Sequence, residues 1–285
     1  MDKLYMKAMG KINLSLDVAG KRPDGYHDLR MIMQTVELHD DVYISKADNG
    51  ISVMCDHSLV PEGESNIALK AAKALCDYIG HNMGVHISIN KNIPVAAGMA
   101  GGSSDAAAVL KGMNQLFSLG LNMDVLMEIG NKLGADVPYC LCGGTMLAEG
   151  TGNILTPLSP FDGVNLVLVK PKIEVSTAWV FKNFINADVK VRPDTDLLIS
   201  AVKHGNIKAV GENMANVLES VTIKANPVIA EIKKELIAHQ ALGSLMSGSG
   251  PTVFGIFEDF NNAQKAYLKM SENCKLDCYL TKTIC

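Results

Sequence analysis

The sequence predicts an α+β protein organised as two halves, and three features predict it. The first half sets strand-like alternation against an Ala-rich helical run, with a loop of small residues between them. The second half alternates strands and helices in an order that suits a small antiparallel sheet with helices beside it. A cluster of Pro, Ser, Asp and Gly at Pro157–Gly163 marks a boundary, which divides residues 1–158 from residues 159–285. At 285 residues the chain is long enough for two packed cores.

Taken in order, Leu4–Met9 and Ile12–Val18 alternate apolar with small or polar residues, as paired strands do. Asp41–Lys46 and Ile51–Cys55 read as a hairpin around Asp48-Asn49-Gly50. Asn66 is placed to cap a helix whose apolar face includes Ile67, Ala71, Ala74, Leu75 and Ile79. Val85–Asn90 is a strand that feeds the small-residue loop, and a helix follows from about Ser103 to Phe117. Asn122 caps the next helix, which ends near Gly134. Cys140 and Cys142 then read as one face of a strand, and Gly143–Ala148 as another strand closing this half. Beyond the boundary come a strand at Asn165–Val169, a helix at Ser176–Asn183 and helices through roughly 195–220. Asn226-Pro227 opens a helix that runs to about Gln240, with proline at its first position. Thr252–Phe257, Asn262–Ser271 and Leu276–Thr281 complete the half as strand, helix and strand.

Composition narrows the function classes. The chain is 48% hydrophobic and 20% charged with a net charge of −4, so it offers no basic surface for nucleic acid. No apolar run approaches bilayer length, and Met1-Asp-Lys-Leu-Tyr5 lacks a signal-peptide pattern, so a cytoplasmic protein without a membrane partner is expected. The seven cysteines are an odd number in a long chain and are expected to be reduced thiols. Cys140-x-Cys142 and Cys274-x3-Cys278 have no second CxxC or His pair, which argues against a zinc site.

The most informative stretch is the loop Pro94, Val95, Ala96, Ala97, Gly98, Met99, Ala100, Gly101, Gly102, Ser103 and Ser104, which empties into Asp105-Ala-Ala-Ala108. Glycines at 98, 101 and 102 allow close backbone approach and positive φ. Free N–H groups and the positive end of a helix dipole converge where such a loop enters a helix, which suits a phosphate. No Lys-Ser or Lys-Thr follows the last glycine, so the loop is not a Walker A motif. Nor does it follow the first strand, as a Rossmann fingerprint would. A plain strand–helix connection of small residues is the structural alternative.

Four other constellations carry chemistry, and each has a structural reading of its own. Lys11-Ile-Asn13 lies among the first strands, where a lysine usually covers apolar surface with its stem. Lys21-Arg-Pro-Asp-Gly-Tyr-His27 is a turn in which Asp24 shapes the backbone and Tyr26 and His27 pack. In Gly134-Ala-Asp-Val-Pro138, Asp136 can bond N–H groups near the helix end. Ser247-Gly-Ser-Gly-Pro251 can be no more than a tight turn before a strand.

Their order along the chain resembles the GHMP kinase superfamily over nearly the whole length. The resemblance rests on Lys11-Ile-Asn13, on loop 94–104 running into Asp105-Ala-Ala107, and on Met246-Ser-Gly-Ser-Gly-Pro251. Lys11-Ile-Asn-Leu14, Arg22-Pro-Asp-Gly-Tyr-His27 and Leu133-Gly-Ala-Asp-Val-Pro138 resemble, more narrowly, the branch that phosphorylates a CDP-linked methylerythritol. Mevalonate and homoserine kinases share the loop and the late Ser-Gly-Ser-Gly but not Pro-Asp-Gly-Tyr-His. One departure is the presence of Ala96, Ala97 and Ala100 where many relatives have more glycine; alanine tolerates helical φ, so binding is expected to survive.

The resemblance implies a two-domain fold, with an ATP-binding domain at 1–158, a ferredoxin-like substrate-side domain at 159–285 and the active site in the cleft between them. It implies transfer of the ATP γ-phosphoryl group to the 2-hydroxyl of CDP-methylerythritol, in the non-mevalonate route to isoprenoids. Asp136 would be the base, with Lys11 holding it ionised and stabilising the phosphoryl. Residues 94–104 would wrap the nucleotide phosphates, and Ser103 or Ser104 would contact Mg²⁺. Asn13, Tyr26, His27, Phe181, Gly248, Ser249 and Gly250 would bind the substrate. A monomer or weak homodimer is expected, with no partner beyond the two small molecules.

Overall fold

The computed structural model describes residues 2–285, so Met1 of the N-terminal stretch read above lies outside the described residues. By contacts the chain falls into two compact units, neither continuous in sequence. The first comprises residues up to Gly10, Leu38–Val95 and Ala100–Gly143. The second comprises Lys11–Glu37, Ala96–Met99 and Gly144–Cys285.

The chain opens with β1 (Lys3–Lys21), β2 (His27–Lys46) and β3 (Ile51–Cys55), followed by α1 (Ile67–Ile79) and β4 (Val85–Asn90). Then come α2 (Gly101–Leu116), α3 (Met123–Leu133), α4 (Val137–Cys142), β5 (Thr145–Gly150) and β6 (Ile154–Pro157). The remainder is β7 (Asn165–Pro171), α5 (Thr177–Lys182), α6 (Thr195–Lys203), α7 (Ile207–Asn213), β8 (Ala215–Asn216), α8 (Glu219–Ala225), α9 (Val228–Ala238), β9 (Gly243–Met246), β10 (Val253–Phe257), α10 (Phe260–Ser271) and β11 (Leu276–Lys282).

In the first unit, β4 lies between the end of β2, to which it is antiparallel, and β3, to which it is parallel. Val42 and Ile44 of β2 and Ile87 and Ile89 of β4 form one core with the apolar faces of α1, α2, α3 and α4. Asn66 and Asn122 cap α1 and α3 as expected, each accepting a backbone N–H with its side-chain oxygen. Helix α2 is Ala-rich because it lies close to the sheet. A Cβ added at Gly112 would stand 2.3 Å from Ile44 Cδ1, so glycine lets the helix approach without displacing that side chain.

In the second unit, the first part of β2 pairs antiparallel with β5, β5 pairs with β6, and β1 pairs parallel with the short β8. A separate antiparallel sheet has the order β11-β7-β10-β9, with Phe254, Ile256 and Phe257 of β10 fully buried. This 4-1-3-2 strand order is that of a ferredoxin-like sheet.

Several elements differ from the sequence expectation. Leu4–Met9 and Ile12–Val18 are one continuous strand, because a glycine at position 10 weakens a strand without ending it. The expected β2–β3 hairpin does not form. Asp48-Asn49-Gly50 reverses the chain, but β4 occupies the neighbouring place, and turn chemistry does not determine which strand pairs. Cys140 and Cys142 lie on helix α4, not on a strand. Helix α2 starts at Gly101, not near Ser103. Strand β9, strand β6 and the first part of β2 had no clear alternation and were not expected.

Candidate active site

Lys11 and Asn13 are alternate residues of β1 and so share a face of the strand. Neither behaves as a surface residue: Lys11 is 5% exposed and Asn13 is fully buried. The Lys11 ammonium donates to Asn13 Oδ1 at 2.7 Å, and the Asn13 amide reaches Met31 Sδ at 3.3 Å. No carboxylate of the second unit pairs with Lys11. The ammonium is therefore buried against a neutral amide, an arrangement that favours an incoming anion.

Two loops meet beside it within the second unit. The Lys11 N–H donates to the Met99 carbonyl at 3.1 Å, and Ser247 Oγ donates to the Gly98 carbonyl at 2.9 Å. Gly98 (φ +71°) and Gly248 (φ +57°) hold left-handed backbone that favours glycine. A Cβ at Gly98 would stand 2.2 Å from the Ser247 carbonyl oxygen, and one at Gly248 would stand 3.5 Å from Lys11 Nζ. Gly98 is therefore required by conformation and by space, and Gly248 by conformation.

The loop backbone also corrects the expectation for its alanines. Ala96 (φ +53°) and Ala100 (φ +58°) are left-handed, not helical, so every second residue from 96 to 100 has positive φ. Alternating handedness is the backbone pattern that turns successive N–H groups towards one side, which suits an anion. Gly101 and Gly102, expected to supply positive φ, instead form the opening of α2. No side chain caps that helix at Ala100, so its first N–H groups are not occupied by a cap.

The turn after β1 is built as its sequence suggests. Asp24 Oδ1 accepts the Tyr26 N–H at 3.0 Å, and Arg22 pairs with both Asp24 and Asp28 at 3.1 Å. Gly25 supplies the positive φ. Asp24 therefore shapes the backbone and presents Tyr26, which is 67% exposed, and His27. The His27 ring stacks on Phe181 of α5, with centroids 5.3 Å apart, and meets Phe184 edge-on. Burial, followed by the nearby charge of Lys21, lowers the His27 pKa and favours the neutral imidazole. Phe181, expected to bind the substrate, thus lies against His27. Ser249 is buried, and its Oγ is 2.8 Å from Thr177 Oγ1 at the start of α5, which links the 247–250 turn to the helix carrying Phe181.

In the first unit, Asp136 is half-buried at the N-cap of α4 and its side chain makes no capping hydrogen bond. The structural alternative for this carboxylate is therefore absent. The cap of α3 at Gly134 is extended (φ 174°), not left-handed. Ser104 is buried and donates to the Met9 carbonyl and, at 3.3 Å, to Cys140 Sγ. Ser103 is half-buried with no side-chain partner among the described residues.

Two groups of supporting residues escaped the sequence analysis. The buried Asn216 side chain donates to the carbonyls of Met246 and Gly248 at 2.8 Å each, while Thr222 Oγ1 donates to the Ser249 carbonyl at 3.2 Å. These bonds hold the 247–250 turn from behind. The only signal for Asn216 is a polar residue among apolar ones in Ala215-Asn-Val-Leu218. In the first unit, the Lys91 ammonium bridges the carboxylates of Asp40 and Asp105, at 2.7 Å from the latter. Burial and the Asp40 charge push the Asp105 pKa up to about 7 against the pull of Lys91. Burial acts to lower the Lys91 pKa, but the two carboxylates outweigh it and the net shift is upward.

Among the described residues no helix is long and apolar enough to cross a membrane, and no cluster of His, Cys, Asp or Glu could hold a metal. The GHMP kinases N terminal domain profile matches residues 66–144, and the GHMP kinases C terminal profile matches residues 198–276. A 4-diphosphocytidyl-2-C-methyl-D-erythritol kinase of Acetivibrio thermocellus is 56% identical over 284 residues, covering 100% of both chains. A protein of the same name from Clostridium botulinum (strain Eklund 17B / Type B) is 51% identical, covering 99% of this chain and 100% of that one. A crystal structure of a 4-(cytidine 5'-diphospho)-2C-methyl-D-erythritol kinase superposes with a TM-score of 0.85 at 30% identity, covering 98% of this chain and 99% of that one. A homoserine kinase structure from Cytophaga hutchinsonii shares the fold at 20% identity, with a TM-score of 0.79. With full-length identity at this level, and with the motif residues in order, the chain belongs to the GHMP kinase family and, within it, to the 4-diphosphocytidyl-2-C-methyl-D-erythritol kinases.

Proposed function

We propose that this protein transfers the γ-phosphoryl group of ATP to the 2-hydroxyl of 4-diphosphocytidyl-2-C-methyl-D-erythritol, in the non-mevalonate route to isoprenoid precursors. One observation carries the mechanism: a buried lysine whose only hydrogen-bonded side chain among the described residues is a neutral amide, beside two loops with left-handed glycines. Such a site gains a counter-charge when a phosphoryl group arrives.

In this mechanism the loop at 96–100 and the opening of α2 bind the nucleotide phosphates through backbone N–H groups. Asp136 accepts the proton of the substrate hydroxyl, and its lack of a capping bond leaves the carboxylate available for that step. Lys11 favours the ionised base and stabilises charge on the transferring phosphoryl, while Asn13 fixes the ammonium. Mg²⁺, when bound, neutralises phosphate oxygens. Of the two serines, Ser103 fits the ion better, because the Ser104 hydroxyl is committed to Met9.

Tyr26, His27 and Phe181 recognise the cytosine end, and Gly248, Ser249 and Gly250 present backbone donors to a diphosphate. The neutral imidazole has one donor and one acceptor for a base edge. The ferredoxin-like order of β11-β7-β10-β9, all beyond residue 158, supports a substrate-side domain at 159–285 after an ATP-binding domain at 1–158, while by contacts residues 11–37, 96–99 and 144–158 group with the later part.

A substrate panel tests this function. With ATP, the protein should phosphorylate the CDP-linked methylerythritol efficiently, and methylerythritol phosphate, mevalonate and homoserine poorly. Efficient use of mevalonate or homoserine, with none of the CDP substrate, overturns the assignment while leaving a kinase.

A further inference from the structure

The phosphate loop begins and ends in one buried ionic cluster that the proposed chemistry does not use. Lys91 is the first residue after β4, and Asp105 lies in the second turn of α2. Their side chains are 3% and 4% exposed, and Lys91 Nζ donates to Asp105 Oδ2 at 2.7 Å. Asp40 of β2, fully buried, accepts from the same ammonium. It also accepts the backbone N–H groups of Asn92 at 2.6 Å and Ile93 at 2.7 Å. The Lys91 N–H in turn donates to Asp56 Oδ1 at 2.9 Å. The chain entering the loop is thus fastened at three successive residues, and the Lys91 side chain carries that anchorage to the helix leaving it.

We propose that Lys91 is a positioning residue for the nucleotide-phosphate loop, tying its entry at 91–93 to its exit at the start of α2 through Asp105. This rests on reading the loop as a phosphate cradle, as argued above. Two further observations support the tie. A Cβ at Gly101 would lie 3.3 Å from Lys91 Nζ and 3.2 Å from Ile93 Cγ2, so glycine lets the helix opening sit against the anchored segment. Asp105 Oδ1 has no hydrogen-bond partner among the described residues, so the bond through Oδ2 to Lys91 is what orients the side chain. A buried carboxylate with half its capacity unused contributes little to stability by itself. Its geometry does serve to set where the first N–H groups of α2 lie. A displacement of about 1 Å takes such an N–H from ordinary hydrogen-bond distance to beyond it, which weakens binding.

The tie can be cut without stranding a charge. Asp105→Ala leaves Lys91 paired with Asp40, whereas Asp105→Asn keeps an oxygen that accepts from the ammonium. Each variant is first shown to melt cooperatively, and steady-state kinetics are then measured with each substrate varied in turn. Asp105→Ala should raise the KM for ATP by about tenfold, with kcat and the KM for the CDP substrate within about twofold of wild type. Asp105→Asn should restore the ATP KM to within about twofold, because the tie needs the acceptor and not the charge. An unchanged ATP KM in folded Asp105→Ala overturns the proposal, as does an equal rise in both KM values or an Asn variant as impaired as Ala. Gly98→Val separates the two levels of the argument. If it too leaves ATP binding untouched, the loop is not a phosphate cradle and both ideas fall. If it weakens ATP binding and Asp105→Ala does not, only the tie is lost.

Discussion

The Lys11 and Lys91 ammonium groups are both buried, and they are buried differently. Lys91 sits between the carboxylates of Asp40 and Asp105, so its charge is neutralised within the protein. Lys11 donates to the neutral oxygen of Asn13, and no carboxylate of its own unit pairs with it. A buried ammonium is costly unless it is paired. The first lysine meets that requirement internally and serves architecture. The second leaves it open, and a site whose charge is left open is suited to a ligand that brings the opposite one. What separates the two ammonium groups is the partner each one has.

The largest effect should come from the open lysine and the base proposed to work with it. Asp136→Asn removes the proton acceptor and should lower kcat by about 10²–10⁴-fold, while ATP binding and the melting transition are kept. Lys11→Met should likewise reduce kcat far more than it alters the KM for ATP. Single-turnover measurements on both variants check this. Near-normal kcat in Asp136→Asn would make that carboxylate structural. A change confined to the ATP KM in Lys11→Met would place Lys11 on the ground-state nucleotide.

Stability should separate the two lysines in the opposite sense. Lys91→Met leaves two buried carboxylates without their shared counter-ion, and breaking such a buried pair typically costs about 3–5 kcal/mol. Lys11→Met replaces an unneutralised buried ammonium with an apolar chain of similar length, so its stability should be held or raised. Denaturant titration of both variants tests the comparison directly. Equal losses would mean that the Lys11 charge is compensated in the native state, and the contrast would fail.

Much of the site was legible because its residues lie in short local patterns. Lys11 and Asn13 share a strand face by spacing alone, Asp24 and Gly25 form a turn by their own chemistry, and Asn66 and Asn122 cap helices where their sequences place them. What could not be read depends on neighbours distant in the chain. Asp40 and Lys91 are 51 positions apart, and nothing local marks either as buried. Asn216 meets the carbonyls of Met246 and Gly248 from a two-residue strand between helices. The loop alanines were misread for another reason. Alanine by itself prefers right-handed backbone, and at Ala96 and Ala100 the surrounding structure imposes the left-handed form. That departure from local preference falls where backbone N–H groups are proposed to hold phosphate.

The smallest effect concerns His27, whose charge state the comparison also bears on. Like Lys11 it is a basic group near the proposed ligands, but its surroundings oppose the charge: burial first, then Lys21, lower its pKa below the ordinary 6.5. The neutral ring stacks on Phe181 and keeps one acceptor nitrogen for the base edge. Protonation removes that acceptor and adds a cation that burial disfavours. Because the pKa is lowered, the neutral form persists from alkaline pH down through 6.5, and it is lost only as pH falls through the lower value. The KM for the CDP substrate should therefore be flat above pH 6.5 and rise by several-fold below it, with the KM for ATP less affected. His27→Gln keeps an acceptor that does not titrate and should flatten that rise. A KM that begins to climb above pH 6.5, or one that climbs equally in the glutamine variant, assigns the effect to another group.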